Sequence, residues 1–253
     1  MVRQSRKLSY NGMYHLMLRG INRQVIFEDD QDRIRFLDTL KRFKEVSGSQ
    51  IYGYCLMDNH IHLLMKEIEE TVSKVVQRIS SSYVYWYNNK YDRCGHLFQD
   101  RFKSEPVEDP RYFLTVLRYI HQNPVKAGLS SSVFESNWTS IVEYLANPQI
   151  VDIDLALTLF SSDNDKSLQF FKEYMQQSNN DICLESHKKV AIPDADVIKH
   201  IEKLGIEKIS TLQQLNKKSR DALLAELKKL DGVTIRQLSR VTGISKSVID
   251  RIG

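Results

Sequence analysis

Gln50-Ile51-Tyr52-Gly53-Tyr54-Cys55-Leu56-Met57, Asp58-Asn59 and His60-Ile61-His62-Leu63-Leu64-Met65-Lys66 form the stretch that decides the fold. Two apolar runs of strand length flank a turn-favouring pair, so the stretch reads as two strands, Gln50 to Met57 and His60 to Lys66. Side chains alternate along a strand, which places His60 and His62 on one face. Two imidazoles at that spacing can bind one metal ion. Taken alone, the pair fits a structural role as well.

Outward from this hairpin the chain alternates between strand and helix. Tyr14-His15-Leu16-Met17-Leu18-Arg19 reads as a strand. Asp30 to Val46 reads as a helix with a stripe of Ile34, Phe36, Leu37, Leu40 and Phe43, closed by Gly48. Val72 to Tyr91 is a second long helix, rich in serine and aromatic residues, and Leu97 to Val107 an extended segment. Pro110 opens a third helix that runs to about Asn123, where Pro124 and Gly128 end it. Helices set between strands able to pair antiparallel imply an α+β fold, an antiparallel sheet with helices packed on it.

The remainder divides in two. Residues 146–192 read as an acidic linker with some helix, such as Leu168 to Met175, between the tracts Ser161-Ser162-Asp163-Asn164-Asp165 and Ser178-Asn179-Asn180-Asp181. From Pro193, residues 193–253 read as a small all-α domain. Ser219 to Leu230, Thr234 to Thr242 and Lys246 to Ile252 are its helices, and Gly243-Ile244-Ser245 is a tight turn with Ser245 as N-cap. Leu238, Ile244, Val248 and Ile249 have helix-turn-helix spacing, which would offer Lys246, Ser247, Asp250 and Arg251 to a major groove. A helical bundle with no nucleic-acid role has the same pattern.

Composition sets outer bounds. The 253 residues are 42% apolar and 27% charged, as in an ordinary globular protein. No apolar run approaches membrane-spanning length, and no signal-peptide core follows the basic N-terminus. Cys55, Cys94 and Cys183 lie far apart and form no CxxC pair, which speaks against a zinc or disulfide framework and fits a reducing cytoplasm. The net charge of +4 is unevenly spread. Residues 1–23 carry five Lys or Arg and no acid, residues 146–196 nine acids against four lysines, and residues 199–253 twelve Lys or Arg against six acids. Basic ends around an acidic middle suit a polyanion bound at two places, or simply solvated helical surface.

The third helix adds chemistry to the histidine pair. Tyr119 and Asn123 are four residues apart and share a helical face. Two neutral imidazoles and one amide oxygen leave a divalent ion's charge undiminished, which suits polarising a phosphate. Tyr119 would then present its phenol oxygen to that phosphate. A phenol with a pKa of about 10 is a poor nucleophile at neutral pH and needs such polarisation and alignment. Core packing for Tyr119 and a C-cap role for Asn123 are the plain alternatives.

Asn59-His60-Ile61-His62-Leu63-Leu64 followed by Arg118-Tyr119-Ile120-His121-Gln122-Asn123-Pro124-Val125-Lys126-Ala127-Gly128 resembles the single-tyrosine HUH transposases, above all their REP-associated branch. Tyr14-His15 with Arg19-Gly20-Ile21-Asn22-Arg23 is similar to that family's opening strand, and Gly95 to Ser104 to its basic segment. These blocks fall in order across roughly residues 10–130. The resemblance implies an HUH endonuclease-like fold, of the ferredoxin-like or RRM-like kind, over residues 1–145. It implies His60, His62 and Asn123 as ligands of Mg²⁺ or Mn²⁺ and Tyr119 as the nucleophile. Attack would leave a 5′-phosphotyrosine link and a free 3′-OH on single-stranded DNA beside a hairpin. A monomer is favoured over a dimer by analogy with that branch. A replication initiator or relaxase of the HUH class, and a domesticated DNA-binding regulator, are the other readings.

Arg19, Arg23, Arg101 and Lys103 are the expected phosphate contacts of this region, and Lys246, Ser247 and Arg251 those of a tail reaching duplex DNA. Tyr83, Tyr85, Trp86 and Tyr87 suit base stacking or core packing. His96 suits a phosphate contact. His15 suits a structural role first, or else a hydrogen bond to DNA or the orienting of a ligand, and His121 points off the Tyr119 face.

Overall fold

The computed structural model describes residues 6–21, 24–99, 101–181, 183–184, 194–206, 212, 215–230 and 232–252. It divides into a sheet unit, residues 1–184, and a helical unit, residues 185–253.

The sheet unit is built on four antiparallel strands, β1 (Met13–Arg19), β2 (Gln50–Met57), β3 (His60–Lys66) and β4 (Lys103–Pro106), in the order β2-β3-β1-β4. The hairpin forms as its sequence dictates, with Met57 opposite His60 and Cys55 opposite His62. β1 lies on the other side of β3, pairing Arg19 with His60 and Met17 with His62. The extended segment yields a short strand at the edge, preceded by an isolated bridge from Phe98 to Gly20.

α1 (Asp30–Ser47) starts at a capping box, in which Asp29 accepts from the Asp32 backbone N–H, and ends at Gly48 with φ 62°. α2 (Val72–Lys90) packs against α1: Phe36 meets Tyr83 edge-on at 5.3 Å and Phe27 at 5.8 Å. α3 (Pro110–Lys126) is capped by Asp109 and runs through Pro124 one turn further than its sequence suggests. A proline removes one backbone hydrogen bond there, which the last turn of a helix tolerates. α3 approaches the sheet closely at Gly53, where a Cβ would lie 2.9 Å from Leu117 Cδ1.

The segment expected to be a linker packs as part of the sheet unit through residue 184. After α4 (Ile141–Leu145) the chain folds round the buried Glu143 carboxylate, which accepts the backbone N–H groups of Gln149, Ile150 and Val151 at 2.6, 2.7 and 3.0 Å. Asp152 then pairs with Ile51 on the β2 edge through both its backbone N–H and its carboxylate. α5 (Asp154–Thr158) and α6 (Asn164–Gln176) bury Ala156, Phe171 and Met175 in the same core. Few apolar anchors in a polar stretch suffice here because each is fully buried.

The helical unit has its own core of Val197, Ile201, Leu224, Leu227, Leu238, Ile244 and Ile249. Its elements are α7 (Asp194–Lys203), α8 (Lys217–Lys229), α9 (Ile235–Thr242) and α10 (Lys246–Asp250). Gly243 with φ 70° caps α9 and opens the expected turn. α10 is shorter than expected, and Lys228 Nζ bonds the Ile249 and Ile252 carbonyls where it ends. Ser245 makes no side-chain cap and faces Ser247 Oγ at 3.2 Å. Pro193, the expected entry to this unit, lies outside the described residues. No helix among the described residues is long and apolar enough to cross a membrane.

Candidate active site

β3 and β1 are the two central strands, so the sheet face carrying His60 and His62 also carries Arg19 and Met17 opposite them, with His15 on the same face. α3 lies over this face. The His62 ring stands 5.1 Å from that of His60 and 5.5 Å from that of Tyr119, both edge-on. Asn123 donates its side-chain N–H to the Tyr119 carbonyl at 3.2 Å, and its side chain is also hydrogen-bonded to His60. The structure thus brings together the four residues singled out for chemistry, and it does so within a single chain.

His62 and Tyr119 are buried, and burial is the main reason that the histidines resist protonation. His60 is pushed down to about 4, by burial first and then by the Arg19 charge, against a hydrogen bond from Asn123 and the Asp58 charge. His62 falls well below its ordinary value through burial, with His15, His60 and Arg19 adding to it. Both rings are therefore neutral near pH 7, the form that ligates a cation.

The donor set fits a divalent ion. His60 Nδ1 lies 2.6 Å from Asn59 Oδ1, and His62 Nδ1 lies 2.9 Å from His15 Nε2. An ion would therefore be held through the Nε2 atoms of the two rings and the Asn123 oxygen, in place of the hydrogen bond that now joins Asn123 to His60. Among the described residues no group of three His, Cys, Asp or Glu side chains is arranged to hold a metal, so an ion would rest on this mixed set of two imidazoles and an amide.

α3 is held from its far side as well. Arg118 bonds the Asp181 carboxylate at 2.8 Å, Gln122 donates to the Met175 and Gln177 carbonyls, and Lys126 donates to Asn179 Oδ1 at 3.0 Å. These residues recur every four positions along a stripe next to Tyr119 and Asn123. Lys126 also places its ammonium 5.4 Å from the Tyr119 ring centroid. Asn59, Lys126 and the 177–181 strap were not singled out in the sequence. Asn59 was legible only as a turn residue, and the strap only as polar chain.

A groove of about 750 Å³ lies between α2 and residues 96–99 and 101–102, and shares Arg19 with the histidine face. Arg6, Arg19, His96, Arg101, Tyr85 and Phe102 are among its lining residues. Tyr85 is 73% exposed at this groove, whereas Tyr83 and Tyr87 are core residues and Trp86 packs against the core. Lys103 is exposed on the edge strand, and Arg23 lies outside the described residues. His121 is buried away from the site, with Nε2 2.8 Å from Ser140 Oγ. Lys246, Ser247 and Arg251 are exposed in and just after α10.

A four-stranded antiparallel sheet with a histidine pair on a central strand, and a tyrosine helix laid over it, is the fold of the HUH transposases. The chain superimposes on a structure described as the REP-associated tyrosine transposase bound to a REP hairpin, with a TM-score of 0.50 and 16% identity, over 61% of this chain and 96% of that one. A putative transposase from Deinococcus radiodurans R1 is also similar, at 16% identity and a TM-score of 0.34, over 48% of this chain and 97% of that one. No curated protein is significantly similar. Residues 8–123 match the family described as "Transposase IS200 like".

Proposed function

We propose that this chain is a single-tyrosine transposase that cuts and rejoins single-stranded DNA next to a hairpin. The observation that carries the reading is the edge-on contact of Tyr119 with His62, on a helix that brings Asn123 to His60. The match of residues 8–123 to the IS200-like transposase family supports a transposase acting on DNA. The hairpin is taken from the superimposable REP complex.

In the proposed reaction Tyr119 Oη attacks a DNA phosphorus and loses its proton as the P–O3′ bond breaks. The 5′-phosphate stays on the tyrosine, and the departing 3′-oxygen takes up a proton. Attack by a 3′-OH on the phosphotyrosine reverses the exchange, so rejoining needs no nucleotide triphosphate. His60, His62 and Asn123 would hold Mg²⁺ or Mn²⁺, which when bound offsets charge on the scissile phosphate. The rigid α3 keeps the phenol in line, with 177–181 bracing its back. The basic, aromatic groove would lead the unpaired strand past Arg19 and Arg101, with Tyr85 free to stack on a base. Tyrosine and histidines from a single chain suit a monomer, α10 would add a contact to duplex DNA, and three free cysteines suit a reducing cytoplasm.

The test is a hairpin oligonucleotide with single-stranded flanks, incubated with the protein and Mn²⁺ and resolved in SDS. An adduct that needs the metal is expected. A wild type that binds such hairpins across many sequences and forms no adduct would favour the regulator reading instead.

A further inference from the structure

His15 lies on β1 with no exposed surface, on the histidine face, yet it belongs to none of the proposed ligands. Its Nε2 is 2.9 Å from His62 Nδ1, and its ring stands 5.8 Å from Tyr119. Its other nitrogen, Nδ1, is buried without a hydrogen-bond partner. A buried imidazole satisfied on one side only is costly, and an apolar side chain at this place in the sheet would carry no such cost.

The one proton between the two rings decides what His62 can do. If His15 donates from Nε2, neutral His62 must carry its own proton on Nε2 and cannot ligate through it. If His62 donates from Nδ1, its Nε2 keeps a lone pair. The hydrogen bond made by one ring nitrogen thus sets the state of the other.

We propose that His15 is a positioning residue whose Nε2 accepts the Nδ1–H of His62, fixing the orientation and tautomer in which His62 Nε2 can hold a cation. The unpartnered Nδ1 of His15 is the cost of that arrangement, and the gain appears at His62. The inference rests on the metal-site reading above. Groups that accept the second N–H of a ligating imidazole typically tune metal affinity by about 10–100-fold.

The experiment uses the full chain and Mn²⁺ alone, with bound ion measured by loss of the free-ion paramagnetic resonance signal, and thermal unfolding recorded separately in chelator. His15→Leu should bind Mn²⁺ about 10–100-fold more weakly than wild type, while melting in chelator at the same temperature or higher. His15→Gln keeps an acceptor oxygen at similar reach and should bind within about threefold of wild type. A His15→Leu variant that binds like wild type overturns the proposal. So does one that loses affinity together with stability and is not rescued by Gln, since that pattern marks plain packing. A wild type that binds no Mn²⁺ overturns the metal-site reading and this proposal with it, an outcome distinct from the other two.

Discussion

His15, His62 and Tyr119 of the sheet unit are each no more than 3% exposed, whereas Lys246, Ser247 and Arg251 of the helical unit all lie in solvent. The first unit takes polar groups out of water and fixes them by mutual contact. The second keeps its polar groups hydrated above a small apolar core. Removing a residue from the buried set should therefore change what the protein does to DNA, and removing one from the exposed set only how tightly it holds on.

The largest effect should come from Tyr119→Phe. It removes one hydroxyl from a buried ring, so the SDS-stable adduct should vanish while hairpin affinity stays within about threefold, as measured by fluorescence anisotropy. Retained cleavage would place the nucleophile elsewhere.

Acid comes next, because it acts on the buried histidines of the sheet unit. His15 and His121 are pushed down to about 3 and His60 to about 4 by burial, and His62 well below its ordinary value. The unfolded chain therefore takes protons first. The stability these rings contribute is held above the ordinary histidine value of about 6.5 and is lost as pH falls through about 4 to 3, by about 2 kcal/mol at pH 5 for each of His15, His60 and His121. Chemical denaturation of the sheet unit should show that loss, and a flat profile from pH 7 to pH 5 would contradict the burial assigned to these histidines.

Gly53→Val probes the seat of α3. Its new Cβ would lie 2.9 Å from Leu117 Cδ1, so overpacking should cost about 1–3 kcal/mol in urea unfolding and reduce adduct yield as Tyr119 shifts. Unchanged stability would mean that α3 sits more loosely on β2 than described.

The smallest effect belongs to the helical unit. Lys246→Ala with Arg251→Ala should weaken duplex binding uniformly across sequences and lower the salt slope by about 1 per charge removed, with adduct yield per bound DNA unchanged. A loss of cleavage itself would erase the contrast between the units.

Much of the sheet unit was legible because its signals are local. The alternating runs around Asp58-Asn59 set the hairpin, Gly48 and Pro110 punctuated the helices, and the spacing of Tyr119 and Asn123 set one helical face. What escaped depends on contacts between distant segments. Residues 146–184 look like a linker by composition, and only the closing of the chain round Glu143 and the burial of Phe171 and Met175 make them core. The pairing of His15 with His62 joins positions 47 apart, which no periodicity reveals. Ser245 has the right residue type for a cap but faces Ser247 in the folded turn.

The central claim is that Tyr119, set beside His60 and His62, is the residue that attacks DNA phosphate. Its most direct test is to form the adduct on a hairpin oligonucleotide with Mn²⁺, digest protein and DNA, and locate the nucleotide by mass spectrometry. The account predicts a 5′-linked nucleotide on Tyr119 and on no other residue. A nucleotide on another residue, or one linked through its 3′-phosphate, would contradict it.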